Sequence, residues 1–240
     1  MLKIINTGFG KIYASDEIEL INKYLSENEA VLFVCENIEH APFLEGVRYI
    51  TDFDGLCDEK YLDMVCARQK RLPLTIMETD RTVIREITVD DLPALYELYD
   101  DDEIREYLEP LYKYEDERAF TEKYIDEVYG LYGYGLWVVF DKKYGRLIGR
   151  AGIGIRNIDG KDENELGYII KKEYRNKGYC TEICNAILEY SWNELGFDRM
   201  YIVTELHNLI SVRIAEKLGF ELYNKTLCEK KEYLIYRKEK

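Results

Sequence analysis

The sequence predicts an α/β protein in two parts, a small α/β unit over residues 1–79 and a larger one over residues 80–240. Three observations predict it. Short apolar runs rich in β-branched residues alternate with segments whose apolar residues recur every three or four positions, the mark of strands alternating with helices. That pattern stops and restarts around Leu72-Pro73-Leu74, where the residue before proline is biased away from helix. Further on, a strand at Leu166 to Ile170 runs into a polar glycine loop that opens a helix near Gly178. With 240 residues the chain can hold one large core or two small ones.

In the first part, Leu2 to Asn6 is a short strand that ends at Thr7-Gly8. Ser15 is placed to cap a helix carrying Ile18, Ile21 and Leu25. Ala30 to Cys35 is a continuous apolar run that suits a buried strand, and Val47 to Thr51 alternates as a third strand. A second helix follows from about Asp58, with Tyr61, Leu62, Val65 and Cys66 on one side, and ends before Pro73. The resulting β-α-β-β-α order suits a unit of two or three layers. Gly8-Phe9-Gly10-Lys11 lacks the spacing of a phosphate-binding glycine motif and reads as a turn after a strand.

In the second part, Thr82 to Ile87 is a strand, and Thr88-Val89-Asp90-Asp91 opens a helix through Tyr99. An acidic break, Asp100-Asp101-Asp102-Glu103, separates it from a helical stretch that reaches about Tyr129. Gly133 and Gly135 mark a turn, and strands follow at Leu136–Asp141, Arg146–Arg156 and Glu165–Lys171. The helix from Gly178 carries an apolar stripe of Tyr179, Ile183, Ala186, Ile187 and Tyr190, and Gly196 stops it. Arg199 to Glu205 is the next strand. Asn208 then caps a helix with the stripe Ile210, Ile214, Ala215 and Leu218, ended by Gly219, and two strands close the chain. Trp137 and Trp192 read as packing residues.

Composition narrows the functions open to such a chain. A formal charge of −14 argues against nucleic acid, whose phosphates need a clustered basic surface. No apolar run approaches the roughly 20 residues of a membrane helix. The start Met1-Leu2-Lys3-Ile4-Ile5 turns polar at Asn6 and gives no secretory leader, so a cytoplasmic location is expected. The six cysteines, at 35, 57, 66, 180, 184 and 228, form no Cys-x-x-Cys pair, and only His40 and His207 are available beside them. Reduced thiols and no metal site are the expectation.

The chemistry concentrates in residues 164–220. A strand that feeds a glycine loop opening a helix presents free backbone N–H groups and the positive end of the helix dipole, which is an anion site suited to a pyrophosphate. Gly178 lets the backbone approach phosphates closely, Arg175 and Lys177 add charge, and the Thr181 hydroxyl is a further donor. Taken alone, such a loop is equally a plain connection. The next strand, followed by His207-Asn208 and Ser211 and then Leu218-Gly219-Phe220, adds to it. Together these residues resemble the GNAT superfamily of N-acetyltransferases, most of all the branch of ribosomal-protein N-terminal acetyltransferases. The likeness covers roughly 81–240.

The resemblance implies a GNAT-type mixed, largely antiparallel sheet flanked by helices. It implies acetyl-CoA as the acyl-donor cosubstrate and an amine-bearing acceptor, a small molecule or a protein N-terminus, with a homodimer left open. The family's loop signature, Arg/Gln-x-x-Gly-x-Gly/Ala, stands here as Arg175-Asn176-Lys177-Gly178-Tyr179-Cys180, with cysteine in the last position. Amides from Arg175 to Thr181 would hold the pyrophosphate, Asn208 the pantetheine arm, and Ser211 would lie near the sulfur. Pantetheine would add along Leu166–Ile170 like another strand.

The implied mechanism is direct attack of a neutral amine on the thioester. Backbone N–H groups of Tyr168, Ile169 and Ile170 are the oxyanion donors. Glu165 is the general-base candidate, sharing a strand face with Gly167 and Ile169, and otherwise reads as a solvated strand-end charge. Many family members place a tyrosine acid four residues before the final Gly-Phe, where this chain has Ala215. Ser211 is the substitute acid, or else a helix hydroxyl bonding the backbone. His207 and Glu205 are weaker candidates. The alternative to an active transferase is a catalytically weak acyl-CoA sensor or an interaction module. A third reading gives the main role to residues 1–79.

Overall fold

The computed structural model describes residues 1–44, 46–53, 58–228 and 231–240, and Cys57 lies outside them. Contacts divide the chain into two units, Met1–Leu74 and Thr75–Lys240.

In the first unit, β1 (Leu2–Thr7) and β2 (Gly10–Ser15) form an antiparallel hairpin, and β3 (Ala30–Val34) and β4 (Arg48–Ile50) extend the sheet in parallel. Helices α1 (Ile18–Ser26) and α2 (Glu59–Gln69) complete it. Period-two alternation along β3 decides the layering. Ala30, Leu32 and Val34 pack with Leu62, Val65 and Cys66 of α2, whereas Val31 and Phe33 pack with Ile21 of α1. The helices therefore cover opposite faces, giving three layers. Each buried Val, Leu or Phe of β3 contributes about 1.5–3 kcal/mol of burial free energy.

Two expectations change here. The sequence reading places one strand before the first helix, but β2 is a second, because Ile12 and Ala14 alternate with polar residues too briefly to register. Ser15 consequently ends β2 and is fully buried. Its Oγ accepts from the Glu17 amide at 3.1 Å, and Glu17 is the residue that flanks α1. Gly8-Phe9-Gly10-Lys11 forms the hairpin turn, and the Gly8 amide donates to the Asp63 carboxylate at 2.7 Å.

The second unit is built on an eight-stranded sheet. Its strands are β5 (Thr75–Glu78), β6 (Thr82–Arg85), β7 (Leu136–Asp141), β8 (Leu147–Ile158), β9 (Lys161–Ile170), β10 (Arg199–Glu205), β11 (Glu221–Cys228) and β12 (Lys231–Glu239). Their spatial order is β11-β12-β10-β9-β8-β7-β6-β5, and every pairing is antiparallel except β9 with β10. Strand β5 is unexpected, and the expected boundary at 79 falls between it and β6. Thr75–Glu78 is too short and too close to Pro73 to read as a strand, yet it pairs with β6.

Helix α3 (Leu92–Tyr99) starts from a capping box in which Thr88 and Asp91 satisfy each other's backbone, and Arg85 grips the Asp91 carboxylate at 2.6 and 2.8 Å. The short α4 (Asp102–Arg105) begins inside the acidic stretch, with Asp101 as its cap. Helix α5 (Tyr114–Tyr124) continues through a π turn at Ile125–Tyr129 into α6 (Gly130–Tyr132), which ends at Gly133 with φ +74°.

Helix α7 (Tyr179–Asn193) buries Ile183, Cys184, Ile187, Leu188 and Ser191. Tyr179, Ala186 and Tyr190 of the expected stripe are only half-buried. Apolar residues flank Ile183 and Ile187 on both sides, so periodicity alone does not choose the flank. Helix α8 (Leu209–Lys217) buries Ala215, with Leu218 buried just beyond it, but Ile210 of its expected stripe is 58% exposed. Trp137 is fully buried against the ring of Tyr190.

Candidate active site

The parallel pair β9–β10 shares a single register position, Tyr201 with Glu165. A bidentate ion pair of Arg199 with Glu163 joins the strands beside that point, at 2.8 and 3.0 Å. Beyond Glu165 the strands share no further register position, although β9 stays paired with β8 as far as Ile170. The Lys171 amide donates to the Ile148 carbonyl, which fixes the alternation along β9. Backbone groups of Ile169 turn toward β8, and those of Tyr168 and Ile170 turn to the opened edge. Of the three residues expected to offer amides, two therefore line that edge, and the Ile170 carbonyl there accepts from Arg175 Nε at 2.9 Å.

The loop after β9 has the geometry of an anion cradle. Asn176 and Gly178 both have positive φ, +58° and +83°. Among the described residues, the amides of 176–178 donate to no protein acceptor, and those of Tyr179, Cys180 and Thr181 form the open first turn of the 15-residue α7. Gly178 is exposed at the helix start with φ +83°, a conformation that strains any other residue, and a Cβ there would meet Arg81 Nη2 at 3.4 Å. Lys177 is exposed at its rim. The Arg175 guanidinium is committed elsewhere: it meets Asp101 and Glu103, each at 2.6 Å. Its direct contribution to an anion is correspondingly reduced, and it ties the loop to α4 instead.

Arg81 holds the same loop from below, a contact that sequence reading missed. Its guanidinium bonds Glu182 and donates to the Lys177 carbonyl at 2.9 Å, stacking 4.0 Å from the Tyr179 ring. Burial works to raise the Glu182 carboxyl, but hydrogen bonds from Thr79 and Arg81 outweigh it and hold the pKa below the usual value. The loop is thus pinned in shape before any ligand arrives. Next to it lies a groove of about 560 Å³, with Lys143, Arg146, Lys171 and Lys177 among its walls.

Glu165 is the other focus. Its carboxylate accepts from Arg156 Nε at 2.6 Å and is largely covered. Burial raises its pKa above the ordinary glutamate value, against the opposing pull of Arg156 and of the Val203 backbone on β10. It is therefore a largely covered carboxylate held by one cation, not a solvated strand-end charge.

On the opposite face of β9, the Tyr168 hydroxyl lies 2.9 Å from the Ser211 hydroxyl of α8 and donates to its carbonyl at 3.3 Å. Burial drives the Tyr168 pKa far up, so the phenol stays protonated. The Asn208 side-chain oxygen caps α8 by accepting from the Ser211 amide at 3.1 Å, and among the described residues its amide nitrogen has no protein partner. Ala215 is fully buried. His207 is exposed, and Glu205 pairs with Lys231 on β12. The Tyr168 phenol is the second residue that sequence reading passed over as a side chain; only its backbone drew notice, because a tyrosine among 22 carries no signal of its own.

The chain matches the sequence model of the acetyltransferase (GNAT) domain over residues 81–221, more than half its length. It belongs to the GNAT family. Among GNAT relatives, the uncharacterized N-acetyltransferase YnaD of Bacillus subtilis (strain 168) is 30% identical over 142 residues, 59% of this chain and 79% of its own. YkkB of the same organism, an uncharacterized protein, is 35% identical over 96 residues, 40% of this chain and just 55% of YkkB. A solved structure of a putative ribosomal-protein-serine acetyltransferase from Vibrio cholerae superposes with a TM-score of 0.57 at 19% identity, covering 70% of this chain and 98% of that one. That likeness establishes the GNAT fold, a mostly antiparallel sheet flanked by helices. Among the described residues, no three His, Cys, Asp or Glu side chains come together as metal ligands, and no helix is long and apolar enough to cross a membrane.

Proposed function

We propose that residues 80–240 form an acetyl-CoA-dependent N-acetyltransferase acting on an amine, a small molecule or a protein N-terminus. The observation that carries this is the opened β9–β10 pair ending in a pinned loop of free amides at a helix start. A strand-like pantetheine arm fits the free edge of Tyr168 and Ile170, and a pyrophosphate fits the amides from Asn176 to Thr181. The Asn208 side-chain amide is placed to hold the arm, and Lys177 adds charge at the rim.

The chemistry assigns a task to each remaining group. Glu165, with its raised pKa, takes the proton from the attacking amine, directly or through water. The Tyr168 and Ile170 amides meet the oxyanion as it forms on the thioester carbonyl. As the C–S bond breaks, the leaving thiolate needs a proton. The protonated Tyr168–Ser211 hydroxyl pair supplies it, in place of the tyrosine that Ala215 replaces. Retention of a base, an oxyanion edge and an acid supports transfer over the reading of this chain as an acyl-CoA sensor.

The test is amine-dependent release of free thiol from acetyl-CoA by the full chain, across small amines, amino acids and peptides with free N-termini. Release that rises with amine and saturates supports the proposal. Tight acetyl-CoA binding without release to any amine would return the sensor reading.

A further inference from the structure

On the central strands, one sheet face is packed and the other is partly open. Trp137, Val139, Ala151, Ile153, Leu166 and Ile170 are buried, whereas on the opposite face Val138, Ile148 and Gly152 are buried but Leu136, Arg150, Gly154, Glu165, Gly167 and Ile169 are only partly covered. Arg150 of β8 stands on that open face, in register with Val138 on β7 and Ile169 on β9. Its Nη1 donates to the Tyr99 hydroxyl at 3.3 Å, and its guanidinium lies 5.9 Å from the centre of the Tyr124 ring. Its Nε is buried with no hydrogen-bond partner. No carboxylate among the described residues forms an ion pair with it, although nearly every other arginine around the site has one, as Arg81, Arg85, Arg156, Arg175 and Arg199 do.

The guanidinium is mostly buried, and Tyr99, Tyr124 and Tyr129 favour its charge against the cost of burial, but no carboxylate among the described residues completes its fork of donors. Its position says what would complete it. Ile169, its register partner, sits between the two residues whose amides edge the opened cleft, so Arg150 lies one strand spacing, about 4.8 Å, behind that edge. Glu165 is on the same face, four residues along β9. A base and an unpaired cation thus bracket the side from which an amine reaches the thioester. The planar fork of arginine takes a carboxylate through two parallel hydrogen bonds.

We propose that Arg150 binds a carboxylate of the acceptor, so that the acceptor is an amine carrying a carboxylate. This rests on the acyl-transfer reading for the amine, but the anion site itself can be read separately. The experiment compares matched pairs on the full chain: amino acids against their decarboxylated amines, and N-terminally free amidated peptides with and without an acidic residue. The first set detects a free amino acid as the source of the carboxylate, the second a protein N-terminus.

Wild type is expected to favour the carboxylate member of at least one set by about tenfold or more in kcat/KM, chiefly through KM. Arg150→Met should bring that ratio near one, and Arg150→Lys should keep part of it. Melting-temperature shifts by the same pairs without donor read the site apart from turnover. Shifts from carboxylate members alone, lost in Arg150→Met, support the proposal. Equal shifts, no shifts, or a preference that survives Arg150→Met overturn it. Failure of acetyl-CoA to bind wild type would instead sink the transfer reading and leave the melting readout standing.

Discussion

Glu165 and Arg156 oppose each other, and their balance sets a titration. Burial lifts the carboxyl, and the guanidinium 2.6 Å away pulls it back. A base works only when deprotonated, so kcat/KM should rise with pH through a value above the ordinary glutamate range. Arg156→Met removes the cation that favours the charged form, and the acid limb should move to still higher pH. A pH profile identical to wild type would contradict the assignment. Glu165→Gln should cut kcat/KM by about 10²-fold or more while acetyl-CoA affinity stays. At this scale the sequence was informative where a residue type is rare in its setting: a glycine opening a helix, an asparagine before one, a glutamate on a strand. It was silent on Arg81 with Glu182 and on Arg175 with Asp101 and Glu103. Those partners lie 101, 74 and 72 positions apart and meet only through the fold.

Between elements, the decisive feature is a strand pair that separates while α7 and α8 start from either side of the gap. Tyr168 reaches from β9 to Ser211 on α8 across that gap, and its phenol is the acid in our account. Tyr168→Phe keeps the ring and removes the hydroxyl. It should lower kcat by about 10²-fold with little change in acetyl-CoA binding, and a larger loss with poorly basic thiol leaving groups would not be expected. Unchanged kcat, with chemistry shown to be rate-limiting by single turnover, would remove Tyr168 from the mechanism. The long strands and capped helices were legible because their patterns run over several residues. Strands β2 and β5 were not, since four to six residues beside a glycine or a proline give little periodicity. The splay of β9 from β10 leaves no trace in either strand's own pattern, and only the likeness to a family suggested it.

At the scale of the molecule, each unit has its own sheet and its own buried clusters. The transferase assignment rests wholly on the second. A fragment of residues 75–240 should therefore bind acetyl-CoA as the full chain does, whereas one starting at 81 loses β5 and exposes the edge of β6. Loss of binding by the longer fragment, still folded by circular dichroism, would give the first unit a part in the site. The most direct test of the central claim is calorimetric titration of the full chain and of Gly178→Asp with acetyl-CoA, with free coenzyme A as control. The substitution forces a side chain onto a left-handed backbone position and brings a negative charge to the loop, beside the Arg81 guanidinium that pins it. We expect saturable binding by wild type and none by the folded variant. Equal affinity in both would show that the loop before α7 does not hold the coenzyme.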